Sequence, residues 1–224
     1  MSPRRITKKE MKEDKLVTTA FKLSEWIQKH LNQVLMVAGG VVLVAIVVFF
    51  IFSSKAKREQ KAAELLGKAT LEFQTGNASQ AITDLNTVME KYGGTKDAGQ
   101  ATFYLATVHF YAKDYARSQA IFQSFVEKYK DEDPLLLASA QAGIAECHME
   151  IGEFQAAGDN FVKAVSSKPD GLLAPQYLFS AGRAYLKANQ KEKAKEVFKR
   201  LIDQYPDSKE AYKAKEQLAE NLLL

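Results

Sequence analysis

The chain has 224 residues, 26% of them charged, a net charge of +4 and one cysteine, Cys147. A single cysteine excludes an internal disulfide framework and any multi-cysteine zinc or iron–sulfur site. The positive excess lies in residues 1–33, with eight Lys/Arg against four Asp/Glu, while residues 53–224 hold 23 of each; a binder of phosphate backbones should carry its cations on the folded region, so nucleic acid is disfavoured.

Residues 1–33 form a basic tail. Within it, "LVTTAFKLSEWIQKHL" places Leu16, Ala20, Leu23, Ile27 and Leu31 at spacings of three and four, which is one face of a helix, with Lys15, Lys22 and Lys29 off that face. Trp26, the only tryptophan, suits a water–lipid boundary. The segment reads as an amphipathic helix lying on the cytoplasmic leaflet, or else as the start of the next element.

Next comes "VLMVAGGVVLVAIVVFFIF", residues 34–52, with no charge and no proline. As a helix it reaches roughly 28 Å, about the thickness of a bilayer's hydrocarbon core. The long tail before it and the exit "SSKAKREQK" differ from a signal peptide's short start and small-residue cleavage site, so the expectation is an uncleaved anchor in the lipid bilayer. The whole tail favours a cytoplasmic N-terminus, although within 20 residues of the anchor the cations after it outnumber those before. Its "AGGVVLV" follows no strand, which excludes a phosphate loop, and lacks the GxxxG spacing of a glycine-mediated dimer.

From residue 56 onward the chain repeats. Ala69, Ala106, Ala145 and Gly182 are equivalent; twelve residues on stand Ala81, Ser118, Ala157 and Ala194; four further on stand Leu85, Phe122, Phe161 and Phe198. The offsets between units are 37, 39 and 37 residues. Each unit reads as helix, turn, helix, the turns being "QTGNA", "YAKDY", "EIGEF" and "KANQK". A small and a large residue four apart share one face, so the small one admits the first helix and the large one fills the space beside it. One such pair cannot bury its apolar face and must stack on the next. No segment alternates with period two, so no sheet is expected.

These residues resemble the tetratricopeptide repeat. The last unit matches best, with Gly182, Tyr185, Ala194, Phe198 and Pro206; the third has Gly152, Phe154, Ala157, Phe161, Ala164 and Pro169; the first lacks the aromatics, having Glu72 and Leu85. Residues 207–224 look like the first helix of a fifth unit, with Leu218 and Ala219 in register. The resemblance implies an all-α fold: a single N-terminal transmembrane helix, then an α-solenoid of about four helical hairpins and a capping helix, over residues 56–224. It also implies a concave face built from the first helices, a groove for proteins or peptides comprising Phe73, Phe103, Thr107, Phe110, Tyr111, Glu146, Met149, Glu150, Phe179, Arg183 and Lys187. Several of these could equally pack between units. The clamp by which some relatives hold acidic chaperone tails is absent, since its positions carry Leu66, Phe103, Ala142, Phe179, Thr70, Thr107, Glu146 and Arg183. The plan of basic tail, membrane helix and repeats is similar to the ancillary SecYEG translocon subunit family (YfgM-like) and the related cell-division coordinator CpoB. That similarity implies a single-pass protein of the bacterial inner membrane with a periplasmic repeat domain, meeting the Sec translocon or periplasmic chaperones.

No catalytic or cofactor site is expected. His109 and His148 share one repeat position, roughly 8–10 Å apart by helix spacing, too far for one metal, and read as packing residues. Cys147 and His148 are adjacent on a helix and face different ways, so the thiol reads as buried and free. Asp131, Glu132 and Asp133 lack the glycine and glutamate of a calcium loop and read as a solvated turn. Charge is also graded along the repeats: residues 114–170 carry ten acids and five bases, residues 183–216 ten bases and six acids.

Overall fold

The computed structural model describes residues 8–129 and 133–221. Among them every regular element is helical: α1 (Lys8–Lys29), α2 (Leu31–Gln74), α3 (Ala78–Tyr92), α4 (Asp97–Tyr111), α5 (Tyr115–Lys128), α6 (Pro134–Glu150), α7 (Phe154–Ser167), α8 (Ala174–Lys187), α9 (Lys191–Gln204) and α10 (Lys209–Asn221). The chain divides into two compact units, Met1–Lys57 and Arg58–Leu224, so residues 31–57 of α2 fall in the first and residues 58–74 in the second.

In the first unit the amphipathic segment is a helix of its own, separated from α2 by His30 in turn geometry. The His30 ring stacks on Trp26 with centroids 5.0 Å apart, and its Nδ1 lies 3.0 Å from the Trp26 carbonyl oxygen. Most of α1's described face is exposed, including Phe21, Leu23 and Trp26; the side chains of Lys15 and Leu16 lie outside the described residues. Residues 35–52 are exposed throughout, and the helix holding them is long and apolar enough to cross a membrane.

In the second unit the helices pair as the repeat requires. All twelve small and large register positions are buried. Where two helices approach most closely, the small residue has to be glycine. A Cβ built on Gly182 would lie 2.3 Å from the Phe198 ring, one on Gly158 2.6 Å from Tyr185, and one on Gly143 2.5 Å from Phe122. Phe125, Phe161 and Phe198 are among the fully buried side chains, each worth about 1.5–3 kcal/mol of apolar burial. One core cluster joins α2, α3 and α4 around Leu85 and Val88, a second joins α4, α5 and α6 around Phe122 and Phe125, and a third runs from α6 to α10 around Phe161 and Phe198.

The four turns inside the units share one backbone design. The left-handed residues Gly76, Lys113, Gly152 and Asn189 follow the same 37, 39, 37 offsets. In each turn the next residue's N–H donates to the carbonyl five positions back: Asn77 to Glu72, Asp114 to His109, Glu153 to His148 and Gln190 to Tyr185, at 2.8–2.9 Å. The left-handed residue donates to the carbonyl three back, which completes a Schellman motif and satisfies carbonyls the helix end leaves open. Asp114 then caps α5 by accepting from the Arg117 N–H at 3.3 Å. Asp133 caps α6 by accepting from the Leu135 N–H at 2.9 Å, with Pro134 at the first helical position; Asp131 and Glu132 lie outside the described residues.

The weakest unit substitutes charge for aromatic packing. Asp84, buried on α3, accepts from the Lys68 ammonium at 2.9 Å, and Lys68 also reaches Glu72 at 3.5 Å. At the far end α10 buries Ala211, Ala214 and Leu218, but Ala219 is exposed, against its register. Its equivalents lie beneath a second helix, and α10 has none after it among the described residues.

Candidate functional site

The unit offsets sort the outward residues of the first helices into stripes. Thr70, Thr107, Glu146 and Arg183 occupy one position; Phe73, Phe110, Met149 and Leu186 the next; Gln74, Tyr111, Glu150 and Lys187 the third. A central apolar stripe is thus flanked by two polar stripes. Both flanking stripes are neutral in the first two units, acidic in the third and basic in the fourth.

The structure brings the sequence-predicted residues together in two groups. In the first, the rings of Phe73 and Tyr111 meet at 5.6 Å, Tyr111 and Phe110 at 5.9 Å, and Phe110 and Tyr115 at 5.4 Å. Tyr111 is 70% exposed, and Phe73 and Phe110 are half-buried. The Tyr115 hydroxyl donates to Glu150 Oε2 at 3.1 Å, which joins the aromatic group to the second. That second group is a cleft of about 240 Å³ lined by Glu146, Met149, Glu150, Phe161, Ser180, Arg183 and Lys187. Desolvation, with Glu150 adding repulsion, holds the Glu146 carboxyl above the usual carboxylate range, against the opposing pull of Arg183. The Lys187 ammonium sits over the Phe154 ring at 5.0 Å.

Two predicted residues turn elsewhere, and a third uses its hydroxyl within its own helix. Phe103 packs edge-on against Phe122 and Phe125 at 5.4 and 6.2 Å and belongs to the core edge. Phe179 lies 5.9 Å from Phe198, under the Lys213 ammonium at 5.7 Å. The Thr107 hydroxyl donates to the Phe103 carbonyl within its own helix. Conversely, Tyr115 and Ser180 join the face without having been singled out. Tyr115 opens a second helix, and its link to Glu150 spans 35 residues, so no local pattern announces it.

The histidines and the cysteine are structural. His109 and His148 are buried, with Nδ1 of each facing the acidic residue five positions on, Asp114 at 3.5 Å and Glu153 at 2.7 Å. The second nitrogen of His148 meets Gln119 Nε2 at 3.1 Å, so Gln119 donates to it and Nδ1–H donates to Glu153. Burial holds His109 below the ordinary histidine range despite Asp114. The Cys147 thiol is buried, donates to Ser118 Oγ at 3.4 Å and is pushed up by desolvation, while Ser118 donates to the Ala106 carbonyl at 2.8 Å. Among the described residues no group of three or more His, Cys, Asp or Glu could hold a metal ion.

Stacked helical hairpins with an open first-helix face define a repeat protein of the kind that binds other proteins or peptides. The chain belongs to the tetratricopeptide repeat-like domain family, whose model matches residues 24–220. No curated protein matches it. Among solved structures it is similar to a tetratricopeptide repeat protein from Parabacteroides merdae, at 16% identity over 70% of this chain and 58% of that one, with a TM-score of 0.58. The apo form of RapI is 18% identical over 81% of this chain and 71% of that one, with a TM-score of 0.59. MamA is 17% identical over 69% and 85%, with a TM-score of 0.54. The chain therefore spans a little over half the length of the first of these, and likeness at such identity shows the fold alone.

Proposed function

We propose that the protein is a membrane-anchored, non-enzymatic scaffold that holds a peptide- and protein-binding face beside the bacterial inner membrane, assisting protein export or envelope chaperones near the Sec translocon. The observation that carries this reading is the row of Phe73, Tyr111 and Phe110, which touch one another on the first helices while Phe122 and Phe125 on α5 are buried. A half-exposed aromatic row of that kind anchors partners. The apolar residues 34–52 supply the anchor, and the family match, which begins at residue 24, takes in that stretch together with the repeats. The basic tail remains in the cytoplasm and the repeats face the periplasm, by the weight of tail charge. The implied kinship is with the ancillary SecYEG translocon subunits and CpoB.

Two measurements test this. Alkaline phosphatase fused after Leu224 is active only if exported, so an inactive fusion overturns the periplasmic placement. A photo-crosslinker at Phe110 should trap many exported chains; one constant partner would instead make the array a fixed structural subunit of an envelope or division complex.

A further inference from the structure

Both polar stripes change sign at the same step, between the third unit and the fourth. Glu146 and Glu150 stand four residues apart on α6, Arg183 and Lys187 four apart on α8, and all four line one cleft floored by Met149. Like charges at that spacing destabilise a helix, and Glu150 repels Glu146 while Arg183 across the cleft offsets part of that repulsion. Among the described residues no ion pair within 4.0 Å joins the two pairs. Two charged rows are therefore held side by side, unclosed, at the end of an aromatic row that reaches them through Tyr115 and Glu150.

We propose that this face selects an extended peptide whose side chains run in the order apolar or aromatic, basic, acidic, the first over Phe110, the second between Glu146 and Glu150, the third between Arg183 and Lys187. The inference rests on the reading of the first-helix face as a peptide groove and adds the register of what it takes. Neighbouring units lie roughly 10 Å apart, and a peptide in the polyproline II conformation covers that in about three residues at roughly 3.1 Å each, which also returns every third side chain to the same face. The matching motif is aromatic, two residues, lysine or arginine, two residues, aspartate or glutamate. The central apolar stripe accommodates small side chains between these points, and charge complementarity rejects the inverted order, because it would bring acid to acid and base to base.

The test uses the full chain in detergent and two fluorescein-labelled peptides followed by anisotropy, one carrying Phe-Ala-Ser-Lys-Ala-Ser-Asp and one with its Lys and Asp exchanged. The first should bind at least tenfold more tightly. The preference should shrink in Glu146→Gln/Glu150→Gln, where only the basic pair still discriminates, vanish when Arg183→Gln/Lys187→Gln is added, and invert in Glu146→Lys/Glu150→Lys/Arg183→Glu/Lys187→Glu, helicity being checked for each by circular dichroism. Equal binding of both peptides, with both weakened by Phe110→Ala, overturns the charge register and leaves the groove standing. Binding that ignores Phe110→Ala, or no binding of either peptide, overturns the groove and the register together.

Discussion

Gly182 puts a number on how tightly the last full hairpin is packed. A methyl group there would lie 2.3, 2.5 and 2.7 Å from Cε1, Cζ and Cδ1 of Phe198, where carbon atoms normally rest about 3.5–4.0 Å apart. The ring would have to retreat by about 1 Å or more, yet Phe198 is fully buried with the Phe179 ring 5.9 Å away. Overpacking of this severity costs about 3 kcal/mol, at the upper end of the usual range. The substitution also gains about 1 kcal/mol of helix propensity. The net for Gly182→Ala is about 2 kcal/mol of destabilisation, which in a chain of this size lowers Tm by about 4–8 °C. Gly67 is the control: it is helical, exposed and has nothing within 4 Å of an added Cβ, so Gly67→Ala keeps only the propensity gain of up to about 1 kcal/mol. Thermal melts of the full chain in detergent, followed by circular dichroism, separate the two. A Gly182→Ala protein that melts with or above the parent refutes the packing argument. Adding Phe198→Leu to Gly182→Ala should cost less than the sum of the single changes, because the shorter side chain vacates the contested space.

Other outcomes follow from the turns and the titrating groups. Lys113 holds a left-handed backbone with φ of 61°; Lys113→Gly should stabilise by about 0.5–1 kcal/mol and Asn189→Gly by less, since Asn tolerates that region better, as denaturant titration will show. Glu146 has its folded pKa raised, so its stabilising contribution is full below the ordinary value of 4.5 and is lost as pH rises through the folded value. Glu146→Gln should therefore stabilise at pH 7 by about 0.5 kcal/mol, counting only the Glu150 repulsion, and the gain should disappear toward pH 4. His109 has its folded pKa lowered from 6.5, so its contribution is full above 6.5 and is lost as pH falls through the folded value; melts of His109→Gln should show a shallower loss of stability between pH 7 and pH 5.

How far the sequence carried depends on the kind of contact. The small and large register positions were legible because they answer to one recurring geometry, a first helix lying against its own second helix. The all-helical class and the capping role of the last segment followed from the same period. The candidate face was only partly legible. Phe103, Phe110 and Phe179 look alike as outward aromatics, yet Phe103 and Phe179 lean into neighbouring core rings while Phe110 does not. Both contacts lie inside one hairpin, α4 on α5 and α8 on α9, from the position three residues before the small one, whereas Phe110 stands four residues after it and meets Tyr111 and Tyr115. Ala219 misleads for a related reason: register assumes a covering helix, and burial requires one. The turns hid one feature as well, because a lysine at the left-handed position of "YAKDY" carries none of the signal that glycine gives in "QTGNA" and "EIGEF".

The shared turn design also determines where this chain can change length. From the first small residue to the left-handed residue is seven positions in every unit, and from there to the second small residue five. The two extra residues of the 39-residue step do not disturb that interval; they fall before Ala145, where α6 runs to 17 residues against 15 in α4 and 14 in α8. The hairpin is a gauge block of fixed dimension, and the return connections are the shims. Insertions of one or two residues should be tolerated at 93–96 or 168–173 and ruinous inside the turns. A lineage of such proteins can thus re-aim one hairpin against the next, and reshape its binding face, without altering any residue inside a unit.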